Sequence, residues 1–253
     1  MKEEIIREGK FSYLEKGEGP VLLILHGLFG ALSNFRDVFE HFSDKYKVVI
    51  PVLPLFDLPV INTNVKGISN YVKDFVEFKG YDKVNLLGNS LGGHLSLVYA
   101  AKNLETVQSL ILTGSSGLYE SAMGDTYPKR GNYEYIKEKV EVTFYDPNNA
   151  TKELVDECYS IVNDKAKALR ILALAKSAIR HNVAKDLPHL NVPVCLIWGK
   201  NDTITPPEVA EEFKNLLPDA DLFWIDKCGH AAMMEHPTEF NRQLEAWLKS
   251  RNI

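Results

Sequence analysis

The residue type and setting that most suggest chemistry are at Val84–Ala100, which reads VNLLGNSLGGHLSLVYA. Ser90 sits there between glycines, in Gly88-Asn89-Ser90-Leu91-Gly92. A serine hydroxyl is a poor nucleophile near neutral pH. It needs a base within hydrogen-bond reach and an acid that orients the base. Two later stretches can supply them. WGKNDTITP carries Asp202 just beyond Trp198-Gly199, and FWIDKCGHAAMMEHP carries His230 just beyond Gly229. The order Ser, Asp, His, with each partner after a later strand, fits nucleophilic attack by Ser90 with His230 as base and Asp202 as orienting acid.

The motif GxSxG alone is weak, arising by chance in roughly one chain in twenty of this length. Its context decides. Here it follows an apolar strand-like run and opens a helical segment, Leu91 to about Ala101. A sharp strand-to-helix turn strains the central residue, and only small neighbours let the helix pack so close to the strand. Ser90 then lies at the helix N-terminus, where amide groups and the helix dipole favour developing negative charge.

Acyl transfer also needs donors for an oxyanion. Leu25-His26-Gly27-Leu28-Phe29-Gly30 follows the first long strand. The backbone amides of Leu28 and Leu91 are the expected pair. His26 could act as a second base, but its position suits fixing the loop by hydrogen bonds; His26 and Phe29 are both candidates for the pocket wall. Other titratable residues fit less well. Asp226 is still close to its strand, and His236 precedes Pro237 at the start of the last helix. His94, one turn past Ser90, reads as a packing residue facing away. His181 and His189 lie near the end of an insertion, and Glu211-Glu212 look like a solvated helix face.

The elements that must position these residues follow a regular beat. Val21–Leu25, Val48–Ile50, Val84–Leu87, Leu110–Leu112 and Val194–Trp198 are short apolar runs of the kind buried on both faces of a sheet, and Phe223–Ile225 reads as a further strand. Helical spacing appears in Val65–Val76, Val209–Leu217 and Phe240–Leu248. The alternation predicts an α/β fold with a mostly parallel central sheet flanked by helices. A small antiparallel hairpin, Ile5-Ile6 with Phe11–Leu14, precedes it. From 118 to 182 no strand run is evident. Polar turns at Tyr127-Pro128 and Asp146–Asn149 alternate there with amphipathic stretches, Leu154–Val162 and Leu169–Ile179. Residues 118–182 are therefore expected to form a helical cap inserted into a core of 1–117 and 183–253.

Composition narrows the classes. The chain has 253 residues, 45% hydrophobic and 25% charged, with a formal net charge of −5. That suits one large domain with an insertion. No basic stripe points to nucleic acid, and no apolar run approaches the length that spans a bilayer. The charged start MKEEIIREGK has no secretory h-region, so a cytoplasmic protein without a membrane partner is expected. Cys158, Cys195 and Cys228 are far apart and fit small buried hydrophobes. No His/Cys/carboxylate cluster has ligand spacing, so neither metal nor cofactor is expected. The expected partner is a small-molecule substrate of a monomer or homodimer.

Together, HGLFG, GNSLGG, the GKND loop and the CGH loop resemble the α/β-hydrolase superfamily over nearly the whole chain. The resemblance implies a Ser-Asp-His hydrolase with a cap. GNSLGGH and KCGHAAMMEHPTEFN further resemble the carbon–carbon bond hydrolases that cleave ring-fission products. That likeness suggests Asn89 near the substrate carbonyl and Arg180, in Ser177–Asn182, as a carboxylate anchor. This sequence departs from that branch with Ala231 where Trp usually follows the histidine, and with a less glycine-rich oxyanion loop. Pro54–Pro59 also stands where many superfamily members have an acidic, glycine-rich run. The first expectation is therefore hydrolysis of a small, largely apolar carboxylic ester. The second is carbon–carbon cleavage of a vinylogous diketone acid. The third is a small-molecule binding protein on the same fold with vestigial hydrolysis.

Overall fold

The computed structural model describes residues 4–119 and 129–253; the turn expected at Tyr127-Pro128 lies outside them. Eight strands form one sheet: β1 (Ile6–Glu8), β2 (Phe11–Lys16), β3 (Val21–Leu25), β4 (Lys47–Pro51), β5 (Val84–Asn89), β6 (Val107–Thr113), β7 (Val194–Gly199) and β8 (Ala220–Ile225). Their order is β1-β2-β4-β3-β5-β6-β7-β8. The first hairpin and the β2–β4 pair are antiparallel, and every other neighbour pair is parallel. The continuous apolar runs end up in the middle, where β5 and β7 are buried along their whole length.

Side chains alternate faces along a strand, so each run feeds two cores. Leu23, Leu25, Leu86, Leu110 and Leu196 face one layer. It is built from α2 (Val65–Lys79), α3 (Leu91–Ala100) and α7 (Pro207–Leu216), through residues such as Phe75, Leu95 and Phe213. Leu22, Ile24, Leu87, Ile111 and Ile197 face the other. There α1 (Arg36–Phe42) and α9 (Pro237–Ser250) contribute Phe39, Phe42, Phe240 and Trp247. Local caps fix the helix ends. Asn64 accepts from the Gly67 amide at the start of α2, and Gly80 closes it in the left-handed conformation at φ 65°.

Between β6 and β7 the described residues contain no strand. They form α4 (Tyr133–Glu141), α5 (Lys152–Asn163) and α6 (Lys165–Arg180). Thr151 and Asp164 cap α5 and α6 through their side chains. The periodicity anticipates α5 and α6 but does not single out α1, α4 or the short α8 (Ala232–Glu235). Helix α1 is two turns long, too short for a repeat to stand out. In α4 only Ile136 and Val140 are buried among charged residues, so the apolar stripe is two side chains wide.

Candidate active site

Ser90 occupies the turn between β5 and α3 with φ 55° and ψ −121°. A positive φ on a residue with a side chain is strained and persists only where the surroundings impose it. Those surroundings are visible. The Ser90 amide donates to the Thr113 carbonyl at 3.2 Å, and its own carbonyl accepts from the amides of His94 and Ser116. A methyl group on Gly88 would overlap the backbone of Gly92 and Gly93, and one on Gly92 would overlap the carbonyl of Leu25. Both glycines are thus required by the close approach of helix to strands.

Asp202 follows β7 and is 2% exposed. One carboxylate oxygen, Oδ1, accepts the backbone amides of Ile204 and Thr205 at 2.8 and 2.9 Å. The other, Oδ2, accepts the Thr205 hydroxyl at 2.9 Å and meets His230 Nδ1 at 2.9 Å. Four donors fix this buried carboxylate, and the histidine is the one it orients. His230 follows β8, and its amide donates to the carbonyl of Thr143, just past α4. With Nδ1 held on Asp202, Nε2 is the nitrogen left for proton transfer.

Ser90 and His230 open into one cavity of about 340 Å³, together with Leu28, Phe29, Asn89 and Leu91. Its opposite wall comes from the helical insertion, including Ile136, Phe144, Leu174 and Ile179. Cys158 is also on this wall, and burial pushes its thiol up to about 12, so it stays neutral there. All three cysteines are buried and unpaired by disulfide.

The remaining sequence candidates separate. His26 is buried, and burial lowers its pKa. Its Nδ1 donates to the Gly27 carbonyl at 3.0 Å and its Nε2 accepts the Leu53 amide at 3.3 Å. It fixes the loop after β3 to the chain after β4 and is not among the residues lining the cavity. Asn89 borders the cavity, but its amide nitrogen donates to the carbonyls of Thr113 and His230 at 2.9 and 3.1 Å. It ties the elbow to the histidine loop. Arg180, expected as a substrate anchor, ends α6 exposed, in a shallow outer hollow with Lys176 and His181. The helical phase that buries Leu174 and Ala178 turns it away from the Ser90 cavity. Asp226 is exposed and pairs with Lys200, and His236 bonds the Lys227 carbonyl. His94 is fully buried against His181, Nε2 to Nδ1 at 3.1 Å.

Sequence reasoning misses three residues that hold the site. Thr205 braces Asp202, Thr143 receives the His230 amide, and Glu235 accepts the amides of Gly229, Tyr145 and Asp146. The one available signal is the nearness of Thr205 and Glu235 to Asp202 and His230 in the chain.

The sequence profile of the alpha/beta hydrolase fold family matches residues 20–237. The chain belongs to this family. Its relatives are hydrolases, and so is this α/β hydrolase. A 2-hydroxy-6-oxo-6-(2'-aminophenyl)hexa-2,4-dienoic acid hydrolase of Metapseudomonas resinovorans is 30% identical, over 94% of this chain and 87% of that protein. An α/β-hydrolase enzyme from the sediment metagenome of the Mar Chica lagoon, Morocco, is 52% identical, with a TM-score of 0.83 over 99% of this chain and 100% of that one. A putative lipase of Acinetobacter baumannii is 25% identical, with a TM-score of 0.83 over 98% and 91% of the two chains.

Proposed function

We propose that this α/β hydrolase cleaves small, largely apolar carboxylic esters through an acyl-enzyme on Ser90. His230 Nε2 takes the Ser90 proton as Oγ attacks the ester carbonyl. Asp202 holds the imidazole in that tautomer and stabilises the imidazolium. The amides of Leu28 and Leu91 receive the tetrahedral oxyanion; the Leu91 amide, in the first turn of α3, has no intrahelical acceptor. His230 then protonates the leaving alcohol, and a water activated by the same nitrogen releases the acid. The insertion 118–182 acts as the cap that roofs the pocket and sets its specificity.

The observation that carries the ester reading is the cavity wall. Among the described lining residues the one cation is Lys139, and it is exposed on α4. The wall is mostly apolar, and its other polar side chains, among them Asn34, Thr143 and Thr203, are neutral. Among the described residues a carboxylate seated there would have no buried Lys or Arg to pair with, which makes its desolvation costly.

Carbon–carbon cleavage is the second reading, favoured by the named activity of the Metapseudomonas relative. That relative acts on a dienoic acid, whose carboxylate would need a cation here, and Arg180 lies outside the cavity. The discriminating experiment runs p-nitrophenyl esters of increasing acyl length beside one hydroxy-oxo-dienoate. Ester kcat/KM at least a hundredfold above that for the dienoate is expected. The reverse ranking would overturn the ester assignment.

A further inference from the structure

The charges of α6 are one-sided. Lys165, Lys167, Arg170, Lys176 and Arg180 are all cationic, and no acid falls between Lys165 and Arg180, although the whole chain carries a net charge of −5. Lys165, Lys176 and Arg180 are exposed. Between them stand two large apolar side chains, Leu169 at 55% and Ile179 at 51% exposure. The short turn Val60–Asn62 lies alongside and adds Val60 and Ile61, the latter 84% exposed.

This turn is fixed to the helix. Arg170 Nε donates to the Leu58 carbonyl at 2.9 Å, the Lys167 ammonium lies over the Phe56 ring at 5.4 Å, and the Val65 amide donates to Ser177 Oγ at 3.1 Å. The nearby acids do not cancel the charge. Among the described residues of these elements two acids adjoin the helix, Asp164 at its cap, which also attracts Lys167 and Arg170, and Asp57 on the loop, against five cations. Apolar side chains that project from a ring of cations are an ordinary way to sit in a lipid interface: the chains enter the acyl boundary while the cations meet headgroups.

We propose that the outer face of α6 with the Val60–Asn62 turn docks this hydrolase on an anionic lipid surface. Charge complementarity selects that occupant over a second copy of the chain. A two-fold contact through this face would set its exposed cations, Lys165, Lys176 and Arg180, against the same three of the other copy. Ile179 belongs both to this face and to the wall of the Ser90 cavity. Docking would therefore bring the cavity's helical wall against the lipid, where apolar esters concentrate. The docking does not depend on the ester reading, because binding is measured without turnover.

The test is co-sedimentation of the full chain with two kinds of vesicle, pure phosphatidylcholine and equal parts phosphatidylcholine and phosphatidylserine. Binding to the anionic vesicles alone, weakening as salt rises, is expected. Each basic residue near such a surface contributes about a fivefold factor in affinity, so Lys165→Glu/Lys176→Glu should weaken binding at least about 25-fold. Ile61→Ser/Leu169→Ser should weaken it as well. These positions are solvent-facing, so thermal unfolding and fluorophosphonate labelling of Ser90 should match the wild type in both variants. Failure to bind anionic vesicles at low salt would overturn the proposal. So would equal binding to both vesicles that neither variant alters. A dimer in sedimentation velocity that Ile61→Ser/Leu169→Ser dissolves would reassign the face to self-association.

Discussion

Glu235 offers a sharp test of how the insertion and His230, the proposed base, are coupled. Its carboxylate accepts the Tyr145 amide at 2.9 and 3.1 Å, the Asp146 amide at 2.9 Å and the Gly229 amide at 3.0 Å. One side chain thus joins the segment after α4 to the residue before His230. Bonds to a charged acceptor contribute roughly 1.5–3 kcal/mol when sheltered. Glu235 is half-buried, so water recovers part of each, and about 1 kcal/mol per donor is the better figure. Three donors make Glu235→Ala cost about 3 kcal/mol in urea unfolding. Catalysis should fall further than binding, because a displacement near 1 Å in a catalytic group can cost about a hundredfold. A 10- to 100-fold loss in kcat is expected, with KM changing much less and Ser90 labelling by a fluorophosphonate slowing in parallel. Glu235→Gln should fall between, since its oxygen serves one side while its NH2 meets donors on the other. If Glu235→Ala kept stability within about 0.5 kcal/mol and labelled at the wild-type rate, the coupling would be refuted.

Two further outcomes follow from the same geometry. In Asp202→Asn the oxygen should stay with the Ile204 and Thr205 amides, turning the amide nitrogen toward His230. The imidazole is then driven to the tautomer that carries its proton on Nε2. Turnover and fluorophosphonate labelling should drop roughly 10³- to 10⁴-fold in a folded protein, and a loss under tenfold would contradict the assigned orienting role. For His94, burial and then the neighbouring His181 lower the pKa from 6.5 to about 3. Between those values the unfolded chain binds the extra proton. The stability gained by burying neutral His94 is therefore whole above pH 6.5 and declines toward pH 3, by on the order of 4 kcal/mol. His94→Gln should flatten urea-unfolding stability across that range, and an unchanged slope would assign the acid sensitivity elsewhere.

The strands and the placement of Ser90, Asp202 and His230 are legible because their signals are local. Ser90 and Asp202 follow the fully buried β5 and β7, and His230 follows the half-buried edge strand β8, each of which shows its own apolar run, so chain order brings all three to the carboxyl edge of the sheet. Arg180 shows where that legibility ends. Its helix is readable from its period, but the face a helix presents depends on which stripe finds a core. Burial of Ile171, Leu174 and Ala178 sets that phase and leaves Arg180 outside. Asn89 was legible as part of the elbow but not as a tie to the His230 carbonyl, since that partner is 141 residues away.

The same limit explains why the supports of His230 are not legible in the sequence while the candidate triad is. A nucleophile and its base are recognised by residue type, whereas Thr143 acts through its carbonyl and Glu235 through the backbone amides it collects. Backbone partners leave no mark in the sequence. These contacts reach from the β8–α8 loop and the end of α8 to the segment just past α4, so the position of His230 depends on the insertion as well as on the sheet. Changes in α4 should then alter the rate of proton transfer at Ser90 as well as the shape of the cavity. A substitution that loosens α4 without touching the wall, such as Asn132→Ala at its cap, would lower kcat and the Ser90 labelling rate together while KM holds. A rise in KM alone would instead confine the insertion to shaping the pocket.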